Sequence, residues 1–246
     1  MDRVLYLATS AAKQLLQAQT VATHNLANVN TVGFQADLAS FRERHVDGPG
    51  LDSRVYAVAE GVGTSSAKGV IQATGRPLDV AVNGDGWIAV QAPDGSEAYT
   101  RAGNLKVNIN GQLTTGTGHP VLGGSGPLVV PEYEKLEIGA DGTISVRPIG
   151  QLPNTLAEVG RIKLVAPDPA ELVKGPDGLL RMRNGDDAPA STEVTLMSGA
   201  LEGSNVNGVE AMVNMIGFAR QFEMAVQIMQ SARQMDEQAN KLMDLG

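Results

Sequence analysis

The feature that most constrains this chain is its division into two helix-forming ends and a turn-rich middle. Residues Asp2 to about Asn28 contain neither Gly nor Pro. Apolar positions there recur by threes and fours, at Leu5, Ala8, Ala12, Leu15, Ala22 and Leu26. That spacing predicts a helix with a heptad-like seam, in which Gln19 is the one polar member. The run Asn28-Val29-Asn30-Thr31-Val32-Gly33 favours turns, so the helix should stop before Gly33. The other end repeats the pattern. Asn207 is a candidate N-cap with Glu210 three residues later, a capping-box spacing. Met215, Phe218, Phe222, Ala225, Met229, Ala232, Asp236, Ala239 and Met243 then step by threes and fours, and beyond Glu210 only Gly217 breaks the run. About 37 helical residues would span roughly 55 Å, long for a helix packed on a small domain.

Between these ends the period falls to two. Leu78-Asp79-Val80-Ala81-Val82 alternates, Asn83-Gly84-Asp85-Gly86 turns, and Trp87-Ile88-Ala89-Val90 is again extended. Asp94-Gly95, Asn110-Gly111, Asp141-Gly142, Asp177-Gly178 and Asn184-Gly185 carry hairpin-type turn chemistry. Leu105–Ile109, Thr143–Arg147 and Arg161–Val165 are further strand candidates. The expected fold class is α+β: long terminal helices pairing as an axial coiled coil, with a mostly antiparallel β domain inserted between them. The expected division is an N-terminal helix over 1–28, a connector with little regular structure over 29–77, the β domain over 78–190, and a return segment with the C-terminal helix over 191–246.

Composition narrows the function classes. The net charge is −8 and no basic cluster offsets it, which disfavours nucleic acid as a partner. Absence of cysteine excludes thiol catalysis, disulfides and cysteine-ligated zinc. No apolar run reaches the 18 residues of a membrane span, so no direct membrane insertion is expected. The first residues also lack the basic leader and unbroken apolar stretch of a secretory signal.

Signs of catalysis are weak. His24, His45 and His119 share no metal-ligand spacing. Glu137 and Asp141 offer a carboxylate pair in principle, but acidic residues beside turns are usually just solvated. Gly84-Asp85-Gly86 and Gly123-Gly124-Ser125-Gly126 lack the following helix and the Lys-Ser/Thr of a phosphate loop, and the Asx-Gly turns lack the terminal Glu of a calcium loop. No catalytic residue, metal or cofactor is assigned.

The helices carry the sharper signal. The first 28 residues hold only Asp2, Arg3 and Lys13 as fixed charges, and six of nine methionines (Met212, Met215, Met224, Met229, Met235, Met243) fall in the last 35 residues. A helix with one wet face carries more charge than this, and methionine adapts to irregular neighbours. Contact on several sides is the implied role, with Gln19 and Asp236 as candidate register-setting positions.

These ends resemble a known family. His24-Asn25-Leu26-Ala27-Asn28-Val29-Asn30-Thr31-Val32-Gly33-Phe34 is similar to the N-terminal signature of bacterial flagellar rod and hook proteins. Ser204-Asn205-Val206-Asn207-Gly208-Val209-Glu210, continuing to Glu223, resembles their C-terminal signature. Pro77–Gly86 and Tyr99–Asn104 resemble their β segment. Gln35 stands where Lys is frequent, and Trp87-Ile88 where paired phenylalanines are.

The resemblance implies a non-enzymatic, helically polymerising shaft subunit of the basal-body rod, exported unfolded by the type III apparatus without a cleaved signal. Length and the start Met1-Asp2-Arg3 favour a proximal-rod member over a distal-rod one. The implied partners are copies of itself, other proximal-rod subunits and the distal-rod protein. The implied assembly interface comprises Leu5, Ala8, Ala12, Leu15, Ala22, Asn25, Leu26, Asn28, Asn205, Val209, Met212, Met215, Phe222, Met229 and Leu242. The rivals are a β-domain enzyme with helical extensions and a secreted binding module whose helices only trimerise.

Overall fold

A computed structural model describes residues 2–45, 55–150 and 156–243. It is α+β, with a helix at each end and an antiparallel β region between them. The chain forms two compact units, one from residues within 1–28, 37–63 and 206–246, the other from 29–36 and 64–205.

The first unit is built on helix α1 (Asp2–Ala27) and helix α2 (Gly208–Met243), which pack on one another. Asn207 caps α2 as expected: its Oδ1 accepts the Val209 and Glu210 amides at 3.1 and 3.3 Å, satisfying donors that have no partner in the first turn. The buried contact positions are small, Ala8, Ala12, Ala18 and Ala22 on α1 and Ala211, Ala225 and Ala232 on α2. Alanine lets helix backbones approach closely while keeping helix propensity high. Thr9 Oγ1 lies 3.4 Å from Met229 Sδ. Thr9 is in the first third of α1 and Met229 in the second half of α2, as antiparallel packing requires.

The strands Asp37–His45 and Val55–Thr64 pair with each other in the same unit. They fall in the stretch for which sequence suggested little regular structure. Neither has a clean apolar alternation, so no local period announces them.

The second unit is a set of small antiparallel sheets. Its centre is the strand Trp87–Gln91, in a five-stranded sheet ordered Leu164–Val165, Trp87–Gln91, Glu97–Thr100, Leu180–Met182, Leu172–Lys174. Both faces of this strand are covered. Ile88 and Val90 join Val80, Val82, Leu105, Leu113, Val121, Ile144, Val146 and Ile162 in the main core. Trp87 and Ala89 point the other way, into a cluster with Tyr99, Val165, Leu172 and Leu180. The two-residue period places alternate side chains in different cores.

Turn chemistry sets much of the topology. Asp94-Gly95, Asn110-Gly111, Asp141-Gly142 and Asp177-Gly178 each close a hairpin between adjacent paired strands, with glycine at positive φ. Asn83–Gly86 does not. The strand Val80–Asn83 pairs with Thr195–Ser198, over a hundred residues away, while Trp87–Gln91 pairs with Glu97–Thr100. The turn at 83–86 therefore moves the chain from one sheet to another. Asn184-Gly185 likewise turns without closing a hairpin between named strands.

Candidate functional site

Catalytic alternatives are poorly supported by the geometry. Asp141 is exposed, with its carboxyl held below the usual range by hydrogen bonds from the Thr143 hydroxyl and amide, and Glu137 is held low by Lys135. Each is occupied by a turn or strand neighbour. His24 pairs with Asp37 at 2.6 Å in the helical unit, whereas His119 lies in the β unit; the His45 side chain falls outside the described residues. Among the described residues no group of acidic, histidine or cysteine side chains is placed to hold a metal, and no helix is long and apolar enough to cross a membrane. A cavity of about 590 Å³ in the β unit is lined by Glu97, Lys163, Gly123 and Gly124 among others. Its main charges neutralise each other: Lys163 Nζ donates to both Glu97 oxygens at 2.7 and 2.8 Å.

The helices offer a different kind of site. Of the expected interface residues, Ala8, Ala12 and Ala22 are buried, and Leu5, Leu15, Leu26, Met215, Phe222 and Met229 are half-buried. Val209 and Met212 are exposed. Leu242 lies on α2, and its side chain is outside the described residues. The sequence seam singled out only one face of α2. The structure shows a second, on which the expected Val209 lies: Val209, Val213, Ile216, Met224, Ile228 and Met235 are all at least half exposed. At 100° per residue these cluster on the side opposite Met215, Phe222, Ala225, Met229 and Ala232. A helix apolar on two opposite sides, with one side packed on α1, leaves its other apolar stripe exposed among the described residues. The steps of four, three, eight, four and seven along Val209, Val213, Ile216, Met224, Ile228 and Met235 were legible in the sequence and had been masked by the first seam.

The asparagines have other duties. Asn25 clamps one residue at two points: its Oδ1 accepts the Asp37 amide and its Nδ2 donates to the Asp37 carbonyl, both at 2.8 Å. Asn28 Nδ2 donates to the His24 carbonyl at 2.9 Å, within the end of α1. Asn205 Oδ1 accepts the Ala36 amide at 2.7 Å, and its Nδ2 donates to the Ser65 and Ala67 carbonyls at 3.3 and 2.8 Å. All three side chains are engaged inside the chain.

Residues 33–36 are held residue by residue in the β unit. Gly33, at φ +67°, passes so close to the Arg101–Ala102 backbone that a Cβ would lie 2.3 Å from Ala102 N. Its amide donates to the Glu202 carbonyl at 2.8 Å. Phe34 lies under Lys174, whose Nζ sits 4.0 Å from the ring centroid and donates to the Gln35 carbonyl at 2.8 Å. The buried Gln35 Oε1 accepts the Trp87 indole N–H at 3.0 Å. Thus Gln35 and Trp87 are matched as acceptor and donor. Lysine at 35 would offer no acceptor to this indole, and phenylalanine at 87 would offer no donor.

Beneath lies the most buried ion pair among the described residues. Arg101 Nε is 3.0 Å from Glu202 Oε2, with both side chains almost wholly buried. The approach lacks hydrogen-bond alignment at these two atoms, so attraction between the charges dominates that contact. Arg101 Nη2 donates to the Gly84 carbonyl at 2.7 Å, the guanidinium lies 5.9 Å from the Trp87 ring centroid, and Glu202 Oε1 accepts the Gly69 amide at 2.8 Å. Nothing in the local sequence paired Arg101 with Glu202; only their common burial does.

Three family profiles match the chain. Residues 5–35 match flagella basal body rod protein, 81–146 match the D1 domain of flagellar hook protein FlgE/F/G, and 197–242 match the C-terminal part of flagellar basal body rod FlgEFG protein. The flagellar basal-body rod protein FlgF of Salmonella typhimurium is 45% identical, over the full length of both chains. That of Escherichia coli is 44% identical, also over the full length of both. The flagellar basal-body rod protein FlgG of Bacillus subtilis is 31% identical over 91% of this chain and 92% of its own. Full-length likeness, the helical ends and the inserted β unit agree, and the chain belongs to the flagellar basal-body rod protein family, on its FlgF-like side.

Proposed function

We propose that this chain is a structural, non-enzymatic subunit of the proximal rod, which polymerises helically into the drive shaft that carries torque toward hook and filament. The observation that carries this reading is the double apolar character of α2. Its inner side packs on α1 through small residues, and the large apolar residues of its outer stripe from Val209 to Met235 are at least half exposed among the described residues. Each large apolar side chain buried on assembly contributes about 1.5–3 kcal/mol, so several per subunit offset the entropy lost on association.

In this reading Leu5, Ala8, Ala12, Leu15, Ala22 and Leu26 on α1 and Met215, Phe222 and Met229 on α2 form the axial coiled-coil seam. Val209, Met212, Val213, Ile216, Met224 and Ile228 meet neighbouring subunits, and Leu242 extends the seam. Asn25, Asn28 and Asn205 support this surface by holding chain segments in place. The neighbours are copies of this chain, other proximal-rod subunits and the distal-rod protein, within the periplasmic part of the basal body. The export route is the type III apparatus, without a cleaved signal. The full-length likeness to FlgF proteins supports the proximal over the distal position.

The test is Ile216→Glu combined with Ile228→Glu, expressed from the native locus in place of the wild-type gene. The purified variant should keep the wild-type urea midpoint of the β unit, while cells become non-motile and their basal bodies stop short of the hook in electron micrographs. Normal swimming with complete basal bodies would overturn the assembly role of this stripe.

A further inference from the structure

The chain passes between its two units at four places: after Asn28, Ala36, Gly63 and Asn205. Free linkers at such points would give each crossing its own torsional freedom. Within the β unit, the residues beside three of these crossings meet at one side chain. Asn205 Oδ1 holds the amide of Ala36, and Asn205 Nδ2 holds the carbonyls of Ser65 and Ala67. Backbone bonds close the ring: Ser65 N to Ala36 O at 2.8 Å and Asn205 N to Phe34 O at 3.2 Å. Near the fourth crossing, Gly33 N donates to Glu202 O, three residues before Asn205.

We infer that Asn205 is the positioning residue of a latch that ties residues 33–36, 65–67 and 202–205 into one cooperative element. The chemistry suits asparagine alone among residues of its size. The site needs an acceptor and a two-proton donor on one short, planar group; aspartate lacks the donor and leucine lacks both. The bonds act in parallel, so load on one crossing is shared among several hydrogen bonds before any single segment peels away. The latch is peripheral to the main core. It should therefore open locally, below the free energy of global unfolding. This inference is independent of the assembly reading, because its readout is a solution property of the isolated chain.

Amide hydrogen exchange on purified Asn205→Ala, resolved by residue, tests it. The amides of Gly33, Ala36 and Ser65 should exchange at least tenfold faster than in wild type, by similar factors. Amides of the strands Tyr133–Ile138 and Thr143–Pro148 should be unchanged. Acceleration at Ala36 alone would overturn the latch, leaving one local hydrogen bond. No acceleration, or equal acceleration throughout the β unit, would overturn it as well. Asn205→Asp retains the acceptor for Ala36 and loses the donor, and serves if the alanine variant fails to fold. It should still speed exchange at Ser65 and Gly33; protection at both would refute the coupling.

Discussion

Glu202→Gln isolates the energetic role of the buried Arg101–Glu202 pair. The substitution keeps a side-chain oxygen for the Gly69 amide, which Glu202 Oε1 accepts at 2.8 Å, and removes the charge that faces Arg101 at 3.0 Å. A guanidinium does not neutralise at accessible pH, so Arg101 is left as an uncompensated charge at 2% exposure. Removing one partner of such a pair costs about 3–5 kcal/mol. The Gly84 carbonyl and the face of Trp87 still receive the guanidinium, which favours the lower end of that range. With an m-value of about 2 kcal/mol/M, the urea midpoint should fall by about 1.5 M. The assay is built into the chain: its single tryptophan, Trp87, is buried beside Arg101, so fluorescence reports on the β unit and not on the helices. Arg101→Met with Glu202→Leu should recover much of the loss, because the unpaired charge is gone, short of the bonds made to Gly84 and Gly69. A Glu202→Gln midpoint within about 0.3 M of wild type would refute the reasoning, since m-values of this size then leave well under 1 kcal/mol for the pair.

Gly33→Ala should destabilise the β unit by at least about 3 kcal/mol in the same titration, combining a left-handed φ with a methyl forced against the Arg101–Ala102 backbone; a loss below about 1 kcal/mol would show that this backbone yields. Gly217→Ala separates helix stability from assembly. Nothing lies within 4 Å of the added methyl, so helicity by circular dichroism should rise, by up to about 1 kcal/mol in α2 stability, while the methyl also lands on the outer stripe and should slow rod assembly; unimpaired motility would place that position outside the contact. Burial raises the Tyr99 pKa, and its hydroxyl oxygen accepts the Ala188 amide at 2.7 Å. A native group that holds its proton more tightly than the unfolded chain contributes fully below the unfolded value of about 10 and is lost as pH rises above it, by up to about 1.4 kcal/mol per pH unit. Tyr99→Phe should flatten that alkaline slope in urea midpoints measured from pH 9 to 11; an unchanged slope would assign it to other groups.

Some of this fold was legible because the signals are local. Helical spacing from Leu5 to Leu26 and from Met215 to Ala232, the Asn207 cap and the four Asx-Gly hairpins depend on neighbours a few residues away, so the chain's own order displays them. The same holds for the signature segments that carry the family resemblance. The seam on α2 is legible because a repeated apolar period is strong; of the second stripe only Val209 stood out, because two superposed periods on one helix cancel into an apparently uniform surface.

Pairings between distant segments were decided by tertiary structure alone. The strand Val80–Asn83 is joined by a short turn to Trp87–Gln91 and yet pairs with Thr195–Ser198, because burial of Val80 and Val82 in the main core outweighs the convenience of a hairpin. The sequence offered Asn25 and Asn205 as interface residues, and gave no sign that their side chains bind Asp37, Ala36, Ser65 and Ala67 within the chain. Arg101 and Glu202 carry no mark of partnership in the sequence. A charge is normally left in water, and only a core that has closed around both of these distant segments makes each the other's necessary partner.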